Sequence, residues 1–538
     1  MDVNLALKKI GITRVRRLIY FINFIFCLLL CFHDKTQIFF TTFLSSFVFL
    51  RLLFCIRKRK IRVTLLTLFF ILSIISVFIR LKLGSISTSM IMATLGVSLK
   101  ASMGTLNTLS FSVFLFSGLL ITISIFLILK GETAHYSRNE GVIYIITLLI
   151  VLSLPIFRGV KEWGGHFFTN NIKYSPTFIS QDYLDNYKLF WGEFISATLV
   201  IAEDIINNHK YQNTPHSETP SFITDGGLSA EKHIIYIIGE SSNPNRYSAY
   251  GYSAKTTPNI ENWKETGKIC LINKVHSPAS QTRVAVPMLT SFSGPKNQDW
   301  LFKYKNLIEM AKAKGYQTYW FDSQNGISMW NKPFGYIAKY ADIRATPDDN
   351  NTIYKVREAK DDDLIPLIKD YFSRQNEKSF YVIHLYGNHL SYRENIRPED
   401  VDALPENDDY DRSIYYVDSI LNKIINFADK NLQGYQLVYV SDHGEVVNQG
   451  HGYPTENNEM YAIPLFVTHS SYCDDIEKMR NINGYFSSNM LKYTILKMMG
   501  YNIDKDHLKT EVGDSDIILD EREEEIKFTG LKNQITVW

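Results

Sequence analysis

The feature that most constrains this chain is where its long apolar runs fall. Nearly all lie in the first 158 of the 538 residues, and the remainder reads as a soluble globular protein. Five segments stand out: Leu18–Phe32, Ile38–Ile56, Val63–Ile79, Phe111–Leu129 and Val142–Phe157. A helix that spans a bilayer needs roughly 20 apolar residues. The middle three reach that length, and the first and last reach it by borrowing flanking residues. A five-helix transmembrane domain is therefore expected over residues 1–158. The overall hydrophobic content of 46% is ordinary and hides this division.

Cationic residues orient these spans. Lys8, Lys9, Arg14, Arg16 and Arg17 precede the first segment, Arg57–Lys60 and Arg62 fill the turn after the second, and Lys130 and Arg138 follow the fourth. Loops rich in Lys and Arg stay in the cytoplasm. The His33–Gln37 turn and the Arg80–Ser110 loop are then external, and an odd number of spans sends everything after Arg158 outside. Cys31-Phe32-His33-Asp34 after the first segment lacks a small-x-small cleavage site, so that segment reads as a retained span. Residues 159–227 are expected to bridge the two parts. Within them Tyr183–Ile206 has the pattern of one or two amphipathic helices, suited either to a membrane surface or to packing on the next domain. Asn213–Gly227, rich in Pro, Ser, Thr and Gly, reads as a linker.

Residues 228–538 alternate β-branched or aromatic runs with helical patterns. Strands are expected at Ile234–Ile238, Thr318–Phe321, Phe380–Leu385, Leu437–Val440 and Leu465–Thr468. Helices are expected at Leu307–Lys314, Asp361–Gln375, Ser413–Asp429 and Ser487–Met499. This alternation predicts an α/β domain with a mostly parallel central sheet covered on both faces. In such folds ligands bind beyond the carboxyl ends of the strands. The first strand runs into Glu240, the fourth into Asp442-His443, and the third carries His384 and leads to His389. Two carboxylates and an imidazole from separate strand ends suit a divalent ion, and mixed oxygen and nitrogen ligation suits zinc. Ser280-Gln281-Thr282 precedes an apolar run and resembles a helix N terminus, which is a phosphate cradle. Read alone, Thr282 is more commonly just an N-cap. A net charge of +2 gives no electrostatic case for a nucleic-acid partner. Of five cysteines only Cys270 and Cys473 lie in this half, too few for a disulfide framework or a cysteine zinc site.

Five ordered motifs carry a family resemblance. They are I-G-E-S-S-N-P-N-R-Y with the following S-A-Y-G-Y-S-A-K-T-T-P-N-I at 238–260, S-Q-T-R-V-A-V-P-M-L-T at 280–290, H-L-Y-G-N-H at 384–389, Y-D-R-S-I-Y-Y-V-D at 410–418, and S-D-H-G-E at 441–445 with a later H-G at 451–452. With them the chain resembles the phosphoethanolamine transferases of Gram-negative bacteria, which include the lipid A-modifying enzymes behind polymyxin resistance. The resemblance implies a five-helix membrane domain and an alkaline phosphatase/sulfatase-like periplasmic domain. It implies zinc held by Glu240, Thr282, Asp442 and His443, with Thr282 as nucleophile, and His389 and His451 as accessory residues for phosphate, protons or a second divalent ion. The implied donor is phosphatidylethanolamine, the acceptor a lipopolysaccharide or other glycan, and the enzyme a monomer of the bacterial inner membrane with its catalytic domain in the periplasm. Two departures stand out. Family members often carry several disulfides, and the external loop that often holds a headgroup-binding Asn and Glu reads Met92-Ala93-Thr94-Leu95-Gly96-Val97-Ser98-Leu99-Lys100 here.

Three other functions are open to such a chain. A phosphoglycerol transferase uses the same threonine logic with a different headgroup. A sulfatase-like hydrolase shares the fold but needs a C/S-x-P-x-R setting, and the nearest stretch, Ser242-Asn243-Pro244-Asn245-Arg246, follows Glu240 at the wrong strand end. A non-catalytic membrane scaffold has no use for Glu240, Thr282, Asp442 and His443 together.

Overall fold

The structure is a computed structural model. It describes residues 3–31, 36–56, 58–83, 111–130, 138–163, 198, 218–228, 231–324, 332–347, 360–375, 377–390, 392–452, 457–521 and 523–532. The chain divides into two compact units, Met1–Ile205 and Ile206–Trp538. The external loop at Met92–Lys100, and all of Tyr183–Ile206 except Thr198, lie outside the described residues.

The first unit contains, among the described residues, helices α1 (Val3–Leu30), α2 (Thr36–Phe54), α3 (Arg59–Leu83), α4 (Phe111–Lys130) and α5 (Arg138–Trp163). Each covers one of the five apolar segments. The second helix packs on the first, third and fifth, and the fourth on the first and third. Phe26, Leu50, Phe54, Phe69, Phe70, Leu120 and Leu127 form their common core. The same helices turn Phe21, Phe40, Ile71, Ile125 and Leu149 outward. Among the described residues one segment, Arg59–Val77, is long and apolar enough to cross a membrane; the other four helices carry shorter apolar stretches.

The second unit is built on a seven-stranded sheet. In chain order its elements are β1 (His233–Gly239), α6 (Pro258–Glu265), β2 (Ile269–Ile272), α7 (Thr282–Thr290), α8 (Leu307–Ala313), β3 (Gln317–Asp322), β4 (Ile343–Ala345), α9 (Asp361–Arg374), β5 (Ser379–His384), α10 (Asp409–Asn431), β6 (Tyr435–Ser441), β7 (Leu465–Thr468), α11 (Ser471–Lys478) and α12 (Leu491–Met498), with shorter turns and strands between them. The sheet order is β2-β7-β6-β1-β5-β3-β4. Strands β6, β1, β5, β3 and β4 pair in parallel, and β7 runs against both β6 and β2.

Strand side chains alternate between two separate cores, as the two-residue pleat requires. Ile234, Tyr236 and Ile238 join Trp320, Val382 and Val440 in the core that includes Val286 and Leu289 of α7, Ile308 of α8 and Ile495 of α12. Ile235 and Ile237 join Tyr381, Ile383 and Tyr439 in the core that includes Trp263 of α6, Ile368 of α9 and Ile414, Leu421 and Ile425 of α10. Both faces are thus buried, which explains why the central strands read as continuous apolar runs.

Four details differ from the sequence reading. Helix α10 starts at Asp409, not Ser413, because the Asp408 side chain accepts from Asp411 N at 2.9 Å and caps it. Helix α12 starts at Leu491, after a 3-10 turn at Ser488–Met490. The end of the stretch read as a linker contains a short strand, Ile223–Asp225, paired antiparallel with Tyr501–Ile503. Cys270 on β2 and Cys473 on α11 form a disulfide, so packing is not the sole cross-link of this unit.

Candidate active site

Register brings the key residues together. Gly239 of β1 lies opposite Ser441 of β6, and Ile238 lies opposite His384 of β5. The residues just beyond these positions, Glu240 and Asp442, therefore emerge side by side although 202 positions separate them. Asp442 N donates to Gly239 O at 3.0 Å, and Ser242 N to His443 O at 3.0 Å, stitching the two strand ends. Ser241 adopts φ 50°. A serine in the left-handed region is strained by roughly 1–3 kcal/mol, and such strain persists where the surroundings over-determine it. Here they do: Ser241 N donates to Asp442 Oδ1 (3.2 Å), its carbonyl accepts from Tyr410 OH (2.8 Å), and its hydroxyl donates to Glu240 Oε1 (2.6 Å).

Thr282 completes the cluster. It is the first residue of α7 and Gln281 is the N-cap, so Thr282 is not the cap that its position suggests. Its hydroxyl is free for the site: Oγ1 donates to Glu240 Oε2 at 3.1 Å and lies 3.2 Å from His443 Nε2. His443 Nε2 also lies 3.3 Å from Glu240 Oε1 and 3.4 Å from Asp442 Oδ2. His443 Nδ1 faces the Gly444 carbonyl at 2.9 Å, which assigns the proton to Nδ1 and leaves the Nε2 lone pair open to a ligand. The loop stays tight because Gly444 has no side chain: a Cβ there meets Glu459 O at 2.0 Å.

His389 and His451 also border Glu240, and the His451 ring lies against His443, with centroids 4.1 Å apart. His451 Nδ1 contacts Glu445 Oε2 at 2.7 Å, and Tyr392 OH donates to Glu445 Oε1 at 2.5 Å. His389 is stacked on Tyr386, with Nδ1 3.1 Å from Leu390 O. Two overlapping groups have ligand atoms within 4.8 Å of one another: Glu240 with Asp442 and His443, and Glu240 with His389 and His451. All six sequence-predicted site residues thus meet in one place.

The electrostatics suit a cation. Burial disfavours charge on Glu240, but the His443 imidazole holds its carboxyl well below the usual range. Burial and the Glu240 charge push Asp442 up to about 7. Burial opposes a charge on His443, yet Asp442 and Glu240 lift it to about 10. Carboxylates that draw a proton onto a buried imidazole present the same field to a divalent ion. Asp442 Oδ2 is buried without a hydrogen-bond partner, an acceptor such an ion satisfies. Burial, reinforced by His443, lowers His451 to about 3, and burial raises Glu445 to about 8. The residues fit a metal-assisted nucleophile with two neutral imidazoles beside it.

The sequence reading missed Gln324. It follows β3, and its Nε2 donates to Glu240 Oε2 at 2.8 Å. The strand-end rule that exposed Glu240 and Asp442 applies equally to Asp322-Ser323-Gln324.

Comparison with known proteins agrees with this architecture. The chain is 26% identical over 258 residues to the phosphoethanolamine transferase EptC of Escherichia coli (strain K12), covering 44% of each protein. It is 26% identical over 261 residues to the phosphoethanolamine transferase EptA of Helicobacter pylori, covering 44% of this chain and 47% of that one. The chain spans less than half the length of these curated relatives. The structure of the integral membrane protein lipooligosaccharide phosphoethanolamine transferase A (EptA) from Neisseria meningitidis aligns over 90% of this chain and 96% of its own, with a TM-score of 0.58 at 15% identity, which shows a shared fold. Residues 232–501, half of the chain, match the sulfatase family, and with the sheet and strand-end cluster just described the chain belongs to that family, within the alkaline phosphatase/sulfatase superfamily.

Proposed function

We propose that the chain is an inner-membrane phosphoethanolamine transferase. It takes phosphoethanolamine from phosphatidylethanolamine and places it on lipopolysaccharide, at lipid A or core, or on another periplasmic glycan. The observation that carries this reading is the Thr282 hydroxyl, 3.1 Å from Glu240 Oε2 and 3.2 Å from His443 Nε2 at the start of α7. Glu240, Asp442, His443 and the Thr282 oxygen would hold a zinc ion, which would lower the hydroxyl pKa and offset phosphoryl charge.

Thr282 Oγ1 attacks the lipid phosphorus as its proton leaves along the bond to Glu240. The Oγ1–P bond forms and the bond from phosphorus to the diacylglycerol oxygen breaks. His389 and His451 bind phosphoryl oxygens, and as neutral bases they relay the proton released by Thr282 to the departing diacylglycerol oxygen. The acceptor hydroxyl then attacks the same phosphorus, its proton passes through the imidazole to Thr282 Oγ1, and the Oγ1–P bond breaks. The positive end of α7 faces the phosphoryl group throughout. The five apolar helices and their cationic turns support a multi-pass membrane unit with the second unit in the periplasm.

The test is peptide mass spectrometry of enzyme incubated with phosphatidylethanolamine alone. Phosphoethanolamine on the peptide containing Thr282 is expected. Diacylglycerol release with Thr282 unmodified would sink the covalent route. Mass spectrometry of lipopolysaccharide and periplasmic glucans from cells with and without the gene identifies the acceptor.

A further inference from the structure

We propose that Gln324 is a positioning residue: it holds the Glu240 carboxylate in its ligand rotamer, and Asp322 and His384 hold the Gln324 amide. The proposal rests on the reading of Glu240 as a metal ligand and extends it to three residues on the neighbouring strand ends.

The geometry starts from register. Asp322, the last residue of β3, lies opposite His384, the last of β5, and Ser323 N donates to His384 O at 3.1 Å. The chain then turns so that Gln324 N donates to Asp322 Oδ1 at 2.6 Å. This turn points the Gln324 side chain back across the end of β5 toward β1. Its Nε2 lies 2.8 Å from Glu240 Oε2, 3.2 Å from Leu385 O and 3.1 Å from His384 Nε2.

Two of those three neighbours are oxygens that accept only, an ionised carboxylate and a backbone carbonyl. The group facing them must be the amide NH2, which assigns the Gln324 orientation from chemistry. His384 Nε2 faces the same NH2 and is therefore the accepting nitrogen. The ring proton sits on Nδ1, which lies 3.3 Å from Asp322 Oδ1. Asp322 is itself fixed, since Trp320 Nε1 donates to its Oδ2 at 3.1 Å. Phe334 packs edge-on against the His384 ring, with centroids 5.0 Å apart. Asp322, His384 and Gln324 thus form a closed ring of contacts whose link to the metal-ligand cluster is Gln324 Nε2 on Glu240.

The purpose follows from the flexibility of glutamate. Its carboxylate turns about three side-chain bonds, and each turn carries the ligand oxygen away from Asp442 and His443. Ser241 Oγ holds Oε1 at 2.6 Å and Gln324 Nε2 holds Oε2. Beside the Thr282 hydroxyl on Oε2, these two neutral donors, one on each oxygen, fix the carboxylate plane without competing for the cation. Losing such an outer partner typically weakens metal affinity about 10- to 100-fold.

The experiment measures Zn²⁺ affinity of the purified full-length chain by competition with a chromogenic chelator, with thermal melts alongside. Gln324→Met keeps the side-chain length and removes the donor. It should weaken zinc binding at least about tenfold with little change in the melt. Asp322→Asn loosens the ring one step further away and should weaken binding in the same direction by less. On a Glu240→Ala background, Gln324→Met should cost nothing more, because its effect runs through Glu240. A merely structural role predicts the full loss again on that background, and that result overturns the proposal. So does wild-type affinity in Gln324→Met. If Gln324→Met fails to fold, Asp322→Asn against Glu240→Ala reads the same coupling. A wild-type chain that binds no zinc overturns the metal reading of the whole site; a wild-type chain that binds zinc beside an unaffected Gln324→Met overturns only the role of Gln324.

Discussion

Thr282→Ala separates the chemical role of this residue from its structural one. The side chain is 5% exposed, so its loss is felt in packing and in hydrogen bonding. A hydrogen bond to a charged partner contributes about 1.5–3 kcal/mol, and most of that is lost only when the partner is left orphaned. Neither partner is orphaned here. Glu240 Oε2 keeps Gln324 Nε2 at 2.8 Å, and His443 Nε2 keeps Glu240 Oε1 at 3.3 Å. The hydroxyl therefore accounts for about 1 kcal/mol, and the buried methyl adds about 0.8 kcal/mol. No capping energy is lost, because Gln281 is the N-cap. The total, about 2 kcal/mol, is small beside the 5–15 kcal/mol that typically holds a domain together. Removing an activated nucleophile costs on the order of 10⁴-fold or more in turnover, which is about 5.5 kcal/mol of barrier. The two effects differ enough to be told apart. The assay follows diacylglycerol release from fluorescent phosphatidylethanolamine by the detergent-purified full chain, with circular dichroism melts of the same samples. Thr282→Ala should melt within several degrees of wild type and show almost no release, while Thr282→Ser keeps measurable release. Turnover by Thr282→Ala within tenfold of wild type refutes the reasoning, and Ser280 and Ser241 become the nucleophiles to test.

Gly444→Ala should lower the melting temperature, since its Cβ meets Glu459 O at 2.0 Å and Ala462 O at 2.6 Å; the cost is about 1–3 kcal/mol, and the displaced His443 should also reduce transfer. Wild-type melting and turnover would show that the loop has room to yield. Burial pushes the His276 imidazole down to about 4. The folded ring then stays neutral while the unfolded one protonates below pH 6.5, so stability falls as pH drops from 6.5 toward 4, by roughly 3 kcal/mol. His276→Gln should flatten that slope in denaturation measured across the range, and an unchanged slope assigns it to other groups. A reporter fused after Gly227 that is active only when exported should be active, and cytoplasmic activity there would overturn the five-span topology.

The strands of the central sheet were legible because both of their faces are buried. Ile234–Ile238, Thr318–Phe321 and Leu437–Val440 appear as short apolar runs, and the observed strands extend them by one or two residues at either end. The strands β2 and β4 lie at the two edges and were missed: Ile343–Ala345 spans only three residues, and the two middle residues of Ile269–Ile272 are only partly buried. Glu240, Asp442 and His443 were found because they sit immediately beyond recognisable strands, and Thr282 because it opens an apolar helix. Gln324 was missed although it also follows a strand, because an amide attracts no notice until its partner is known.

The sequence by itself determined what each segment must bury and which side chains bring chemistry. Periodicity and apolar length are local properties, set within a strand or a helix turn. The five apolar runs within residues 1–158 therefore read as helices, and the rest as alternating strands and helices around a set of carboxylates, imidazoles and one threonine. Only the tertiary structure decided how these meet. Sheet order is a contest among strands far apart in the chain, and it alone sets Gly239 opposite Ser441 and Asp322 opposite His384. It reverses β7, pairs Cys270 with Cys473, and moves Thr282 from cap to free hydroxyl by placing Gln281 at the cap. The candidate metal cluster depends on distances of about 3 Å between residues more than 200 positions apart. Such distances follow from register and side-chain packing, which no local pattern encodes.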